Sequence, residues 1–192
     1  PVLAALGYRS MIDAADDVPS LLAHSPLAVE GMDRRLVDVV RAHRGPGAVP
    51  ALPDGDGWLL VEVGAAGEDM ETSLTRARAL CADSAAIDTV VYPPGAQASA
   101  LWRIRADGAG LGGRTPPDET GADRQAWPGF EDAAVPPRNL GAYLRDFTAL
   151  MEEFDIDGLL YGHFGDGCVH VRLAMPLDTP AGVAHTRAFL QS

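Results

Sequence analysis

Lysine is absent: all 15 positions counted as Lys or Arg in the 192 residues are arginine. Chemistries that need an ε-ammonium are thereby excluded, among them a GxxxxGK[ST] phosphate loop, a Schiff-base lysine and a lysine general base. Cysteine is nearly absent. Cys81 and Cys168 lie far apart with no CxxC spacing, so neither a disulfide framework nor a four-cysteine zinc or iron-sulfur site is expected, and a reducing, cytoplasmic setting is the default. Positive charge is scarce, with 27 Asp and Glu giving a formal net charge of -12. Such a chain repels polyanions, so nucleic acid is not an expected partner. No run of about 18 apolar residues and no basic segment followed by an apolar one is found, so neither a membrane span nor a signal peptide is expected. The chain also opens on Pro1 rather than Met, which suggests a processed chain or a piece of something longer.

What is present is an apolar content of 47%, enough for one acidic, soluble, globular domain to bury its own core. Apolar periodicity predicts strands at Val2–Tyr8, Pro26–Glu30, Trp58–Val63 and Asp88–Tyr92. It predicts helices over Ala14–His24, over Arg34–Ala42 with Asp33 as cap, and over Glu68–Ala82, Ala96–Arg105 and Asn139–Phe154. The Pro- and Gly-rich stretches at residues 44–56 and 106–127 read as loops, the second as a loop lying over a site. Strands and helices alternate without the long apolar strands of a parallel sheet. The expected fold is therefore α+β, an antiparallel sheet with helices packed on one face.

The stretch Leu159–Leu173 carries the most information. An Asp-Gly pair between alternating residues predicts a hairpin with Asp166 and Gly167 as the central turn residues, which makes His163 and His170 direct cross-strand neighbours. Period-2 alternation sends Leu160, Phe164, Val169, Val171 and Leu173 to the core, and Tyr161, His163, Cys168, His170 and Arg172 to the other face. Two neutral imidazoles so placed suit a shared divalent cation once a carboxylate or third histidine joins them. The same pattern also describes a solvated polar face. Cys168 reads as a small filler, and Glu30, Asp33 and Glu62 as structural carboxylates near strand or helix ends. The glycine run at residues 108–113 follows a helix and enters a loop, the reverse of a dinucleotide-binding turn.

The run Gly162-His163-Phe164-Gly165-Asp166-Gly167-Cys168-Val169-His170 resembles the G-H-x-G-D-G-N-x-H signature of FAD-linked oxidases of the D-lactate, glycolate and D-2-hydroxyglutarate dehydrogenase type. The likeness is to their C-terminal, substrate-covering domain. Further pieces fall in the family's order at Pro26–Asp33, Trp58–Glu62, Leu101–Arg105 and Glu131–Pro136, so the resemblance spans nearly the whole chain. It implies an elaborated ferredoxin-like fold capping a flavin held by a separate FAD domain, with a small 2-hydroxy acid as substrate and FAD as hydride acceptor. It further implies His163 and His170 as ligands of a divalent metal (zinc, manganese or iron), with His170 in the catalytic set. Arg105, in the W-x-x-R position after Trp102, would clamp the substrate carboxylate through its bidentate fork.

Departures from the pattern bear on the substrate. Cys168 stands where the family has Asn, and Phe130 or Glu131 where some members have a substrate lysine. Arg172 either adds a second cation for a dicarboxylate or forms a surface ion pair. The resemblance puts the FAD domain before Pro1, and a third metal ligand, a Glu followed by a His, after Ser192. Residues 1–192 then read as one cap domain, inactive alone. Two other readings stay open: a stand-alone ferredoxin-like binding module whose acidic surface serves a protein partner, and a metal-dependent hydrolase, which needs a third ligand within these residues.

Overall fold

The computed structural model describes residues 1–111, 126–127 and 132–192. Its strands are β1 (Val2–Tyr8), β2 (Ala28–Asp33), β3 (Gly57–Val63), β4 (Asp88–Tyr92), β5 (Asp132–Ala134), β6 (Gly158–Gly162) and β7 (Cys168–Leu173). Its α-helices are α1 (Met11–Leu22), α2 (Arg34–Arg44), α3 (Met70–Asp83), α4 (Ala96–Leu111), α5 (Leu140–Glu153) and α6 (Pro180–Gln191). The strands form one sheet in the order β4-β1-β3-β2-β6-β7-β5, with antiparallel neighbours throughout.

The first four strands, with α1 and α3 as crossovers, have the β4-β1-β3-β2 order of a ferredoxin-like unit. The β6–β7 hairpin extends that unit. It joins β2 through only Gly31 opposite Gly162 and Met32 opposite Tyr161, and β5 closes the far edge against β7. The expected α+β class is therefore what the chain adopts.

Helices expected on one face occupy both. Val2, Ala4, Leu6 and Tyr8 of β1 pack with α1, α3, α5 and Phe189 of α6 in one core. Leu3 and Ala5 point the other way into a second core with Leu36, Val39 and Val40 of α2 and Leu101 and Ile104 of α4. The reason is legible in the strands. Val2-Leu3-Ala4-Ala5-Leu6 and Trp58-Leu59-Leu60-Val61 are continuous apolar runs, the mark of a strand covered on both sides, and β1 is buried along its whole length.

Local chemistry sets the helix starts. Ser10, Asp33, Asp69 and Thr179 cap α1, α2, α3 and α6, each side-chain oxygen accepting from a backbone N–H of the first turn. The helix expected from Ala14 begins at Met11 because Ser10 caps it there. The helix expected to stop at Arg105 runs on to Leu111, so residues 106–111 of the expected loop are helical. Residues 112–125 of that loop, like Phe130 and Glu131, lie outside the described residues. At its end Trp127 bridges β7, its N–H donating to the Leu173 carbonyl at 2.9 Å. Strand β5 and helix α6, neither foreseen, complete the fold. None of the described helices is long and apolar enough to cross a membrane.

Candidate active site

The hairpin turn differs from the two-residue one expected. Residues 164–166 form a single 3-10 turn and only Gly167 adopts positive φ, at 71°. Leu160 then pairs with Val171 and Tyr161 with His170, so the register is two residues from the one expected and His163 does not face His170 directly. A slip of two preserves the faces, whereas a slip of one would have exchanged them. The imidazoles therefore still meet, edge to face, with ring centroids 5.2 Å apart. Gly167 admits no other residue, since a Cβ there would sit 1.8 Å from the Val135 carbonyl oxygen.

The turn is pressed onto β2 by Phe164, fully buried in the first core. Its ring occupies the space that a Cβ on Gly31 would need, with Cε1 2.5 Å from that position. This close approach brings His163 beside Glu30, the residue before Gly31. Glu30 lies opposite Leu60 in the β2–β3 ladder, on the sheet face that carries the second core. Arg105 comes to the same place from α4. Leu101 and Ile104 bury against the sheet, and Arg105 follows Leu101 by four residues on the same helix face.

Six side chains then interlock. The Arg105 Nε–H donates to Glu30 Oε2 at 2.7 Å. The His163 Nδ1–H donates to Glu30 Oε1, also at 2.7 Å, because an ionised carboxylate only accepts. Arg105 Nη2 lies 3.3 and 3.2 Å from His163 Nδ1 and Nε2, equidistant, so the guanidinium sits over the imidazole rather than along one lone pair. On β7 the His170 Nδ1–H donates to Asp132 Oδ1 of β5 at 2.5 Å, and the Tyr161 ring packs 5.1 Å from the His170 ring. Each histidine thus has its Nδ1 anchored on a carboxylate, which leaves Nε2 as the acceptor nitrogen, in His163 the one 3.2 Å from Arg105 Nη2.

Exposure grades across the cluster. The Glu30 side chain is 8% exposed and Arg105 19%, while His163 is 44% exposed and Asp132 73%. The carboxylates of Asp132, Asp166 and Glu30 also act on Cys168, whose thiol is pushed above its ordinary value, by burial first and by those negative charges second.

Of the residues singled out from sequence, Arg105, His163 and His170 converge. Arg172 lies two residues further along β7, opposite Leu159 and away from the turn. Glu30, read as structural, is the hub of the cluster, and Asp132 was not singled out. The signal for Glu30 was a charge set inside Leu27-Ala28-Val29-Glu30-Gly31-Met32, an otherwise apolar strand. Two imidazoles with anchored Nδ1 atoms suit a divalent metal in donor type but not in number. No group of three or more His, Cys, Asp or Glu that could hold a metal ion occurs among the described residues.

Comparison with known proteins agrees with this architecture. The family model described as FAD linked oxidases, C-terminal domain, matches residues 1–192. Similar proteins include D-2-hydroxyglutarate dehydrogenases of Pseudomonas putida, at 29% identity over 95% of this chain, and of Escherichia coli K12, at 27% over 90%. One from Pantoea ananatis is 25% identical over 90% of the chain. The chain spans only 18 to 19% of the length of these relatives.

Proposed function

The chain belongs to the C-terminal domain family of FAD-linked oxidases, and from that premise we propose that it is the substrate- and metal-binding cap of an FAD-dependent dehydrogenase acting on a 2-hydroxy acid. The observation that carries this reading is the convergence of Arg105 and two carboxylate-anchored histidines at one end of the second core. A 2-hydroxy acid presents a carboxylate and a neighbouring hydroxyl. Arg105, its Nε held by Glu30, has its Nη edge to offer the carboxylate. His163 and His170 keep Nε2 for the hydroxyl side or for a metal beside it.

In this reading His163 and His170 would hold a divalent metal, which would supply positive charge beside the substrate oxygens. His170 would be the catalytic member of the pair, its Nδ1 held by Asp132 and its Nε2 turned to the hydroxyl side. Flavin, bound mainly by residues outside this chain, supplies the hydride acceptor. The chain's own residues bind the carboxylate, orient the hydroxyl and hold the two imidazoles in one tautomer. Among D-lactate, glycolate and D-2-hydroxyglutarate, the last is preferred. Its second carboxylate suits a second arginine, and Arg172 lies on the same strand face as His170; the name shared by the similar proteins points the same way.

The test uses the full-length protein. Its flavin absorbance is recorded anaerobically before and after each of the three acids, with elemental analysis for zinc, manganese and iron. Bleaching with D-2-hydroxyglutarate and about one metal per chain is the expected result. A protein that binds no flavin, or a flavin that none of the acids bleaches, overturns the reading.

A further inference from the structure

Glu30 is the most buried charged side chain of the cluster, and neither the substrate nor a metal needs to touch it for it to matter. We propose that Glu30 is a positioning residue that sets Arg105 and His163 together, one carboxylate oxygen to each. This inference rests on the reading of Arg105 and His163 as substrate- and metal-binding groups.

Division of labour between the two oxygens is the core of the argument. Oε2 takes the Arg105 Nε–H and Oε1 takes the His163 Nδ1–H, both at 2.7 Å. The first bond blocks the Nε side of the guanidinium, so the Nη edge is the one left for a ligand. The second fixes His163 as the Nδ1–H tautomer, so the Nε2 lone pair, 3.2 Å from Arg105 Nη2, is the acceptor side of the ring. Because one rigid carboxylate makes both bonds, the guanidinium and the imidazole cannot be displaced independently. Glu30 itself is held by its strand. Its backbone pairs with Leu60 inside the sheet, and the neighbouring Gly31 is clamped under the Phe164 ring.

The chemistry of the substitutions separates positioning from bulk structure. Glu30→Gln keeps the shape and one acceptor oxygen, so Arg105 retains its partner. The amide nitrogen, however, donates to His163 and reverses the tautomer, putting the proton on Nε2. Glu30→Asp keeps the charge but withdraws it by one methylene, so it cannot serve both partners at 2.7 Å.

In the full-length enzyme, Glu30→Gln is expected to lower kcat/KM for D-2-hydroxyglutarate by about 10- to 100-fold, the range for loss of a group that orients a ligand, with the thermal midpoint held. The decrease should fall mainly on kcat, since the Arg105 bond survives. Glu30→Asp should instead raise KM and lower kcat together. In a His163→Ala background Glu30→Gln should add less than about 3-fold, because the two act as a unit. Wild-type kinetics in Glu30→Gln, while Arg105→Ala and His163→Ala are impaired, overturns the positioning role and leaves the site reading standing. Full additivity with His163→Ala also overturns it. Arg105→Ala and His163→Ala that both match wild type overturn the site reading itself. Should Glu30→Gln fail to fold, Glu30→Asp and its additivity with His163→Ala decide the question.

Discussion

Replacing Arg105 by Lys tests the carboxylate clamp with the charge conserved. Arg105 spans two neighbours at once: its Nε–H reaches Glu30 at 2.7 Å while Nη2 lies over the His163 ring. A lysine ammonium carries its three donors on one nitrogen and has no planar edge, so it cannot span Glu30 and a ligand at the spacing of the guanidinium fork. Glu30, 8% exposed, is the stronger competitor because a buried carboxylate left short of partners carries the larger penalty. The ammonium therefore turns inward and the substrate loses at least one charge-assisted hydrogen bond, worth about 1.5 to 3 kcal/mol. At about 1.4 kcal/mol per decade, KM for D-2-hydroxyglutarate rises about 10- to 100-fold. The change in kcat should stay smaller, since the histidines keep their carboxylates. Steady-state kinetics of the full-length enzyme with an artificial electron acceptor measures both parameters. A KM equal to wild type, with the variant folded, refutes the clamp.

Three further outcomes follow. His163→Ala and His170→Ala should each lower kcat/KM at least about 100-fold, as for loss of a metal or acid-base group; unchanged turnover in either dismisses the shared site. Gly31→Ala drives a Cβ to 2.5 Å from the buried Phe164 ring, so it should destabilise by about 1 to 3 kcal/mol, the range for an overpacked core, and lift His163 off Glu30. Urea unfolding and kcat/KM check the two parts, and a fully stable, fully active variant contradicts the close packing. The Glu68 carboxyl is held below its ordinary value by hydrogen bonds from Ser73 and Arg76. A lowered folded-state value means stability present above the unfolded value and lost as pH falls through the folded one. Glu68→Gln should flatten the acid side of the stability curve below about pH 4.5; an unaltered acid limb argues against that contribution.

The class of the fold and the shared face of His163 and His170 were legible because they rest on local rules, whereas Arg105 came from the family resemblance. Apolar periodicity and the cap at Asp33 located strands and helices. Parity of the hairpin kept both histidines on one face even though the turn was longer than expected. Two-sided burial was also written in β1 but masked by expecting it only of parallel sheets. What local rules do not reach is pairing over long separations. Glu30 and His163 are 133 residues apart and Asp132 and His170 are 38 apart. No periodicity links such partners, and only the β2–β6 and β5–β7 ladders bring them together. Helix α6, with its Pro at the first turn and a Thr cap, carried an ordinary start signal that went unused.

The sheet is continuous, yet its two halves share only two residue pairs between β2 and β6, one of them glycine on glycine. Glu30 and Arg105 stand on one side of that seam, and Asp132, His163 and His170 on the other. The cluster is thus an inspection point for assembly: its residues come together only when the ferredoxin-like block and the hairpin lock in register. Sub-global opening along the seam would part Glu30 and Arg105 from the two histidines, so hydrogen exchange of the Gly31 and Tyr161 amides reports on the cluster more directly than the overall melting point does.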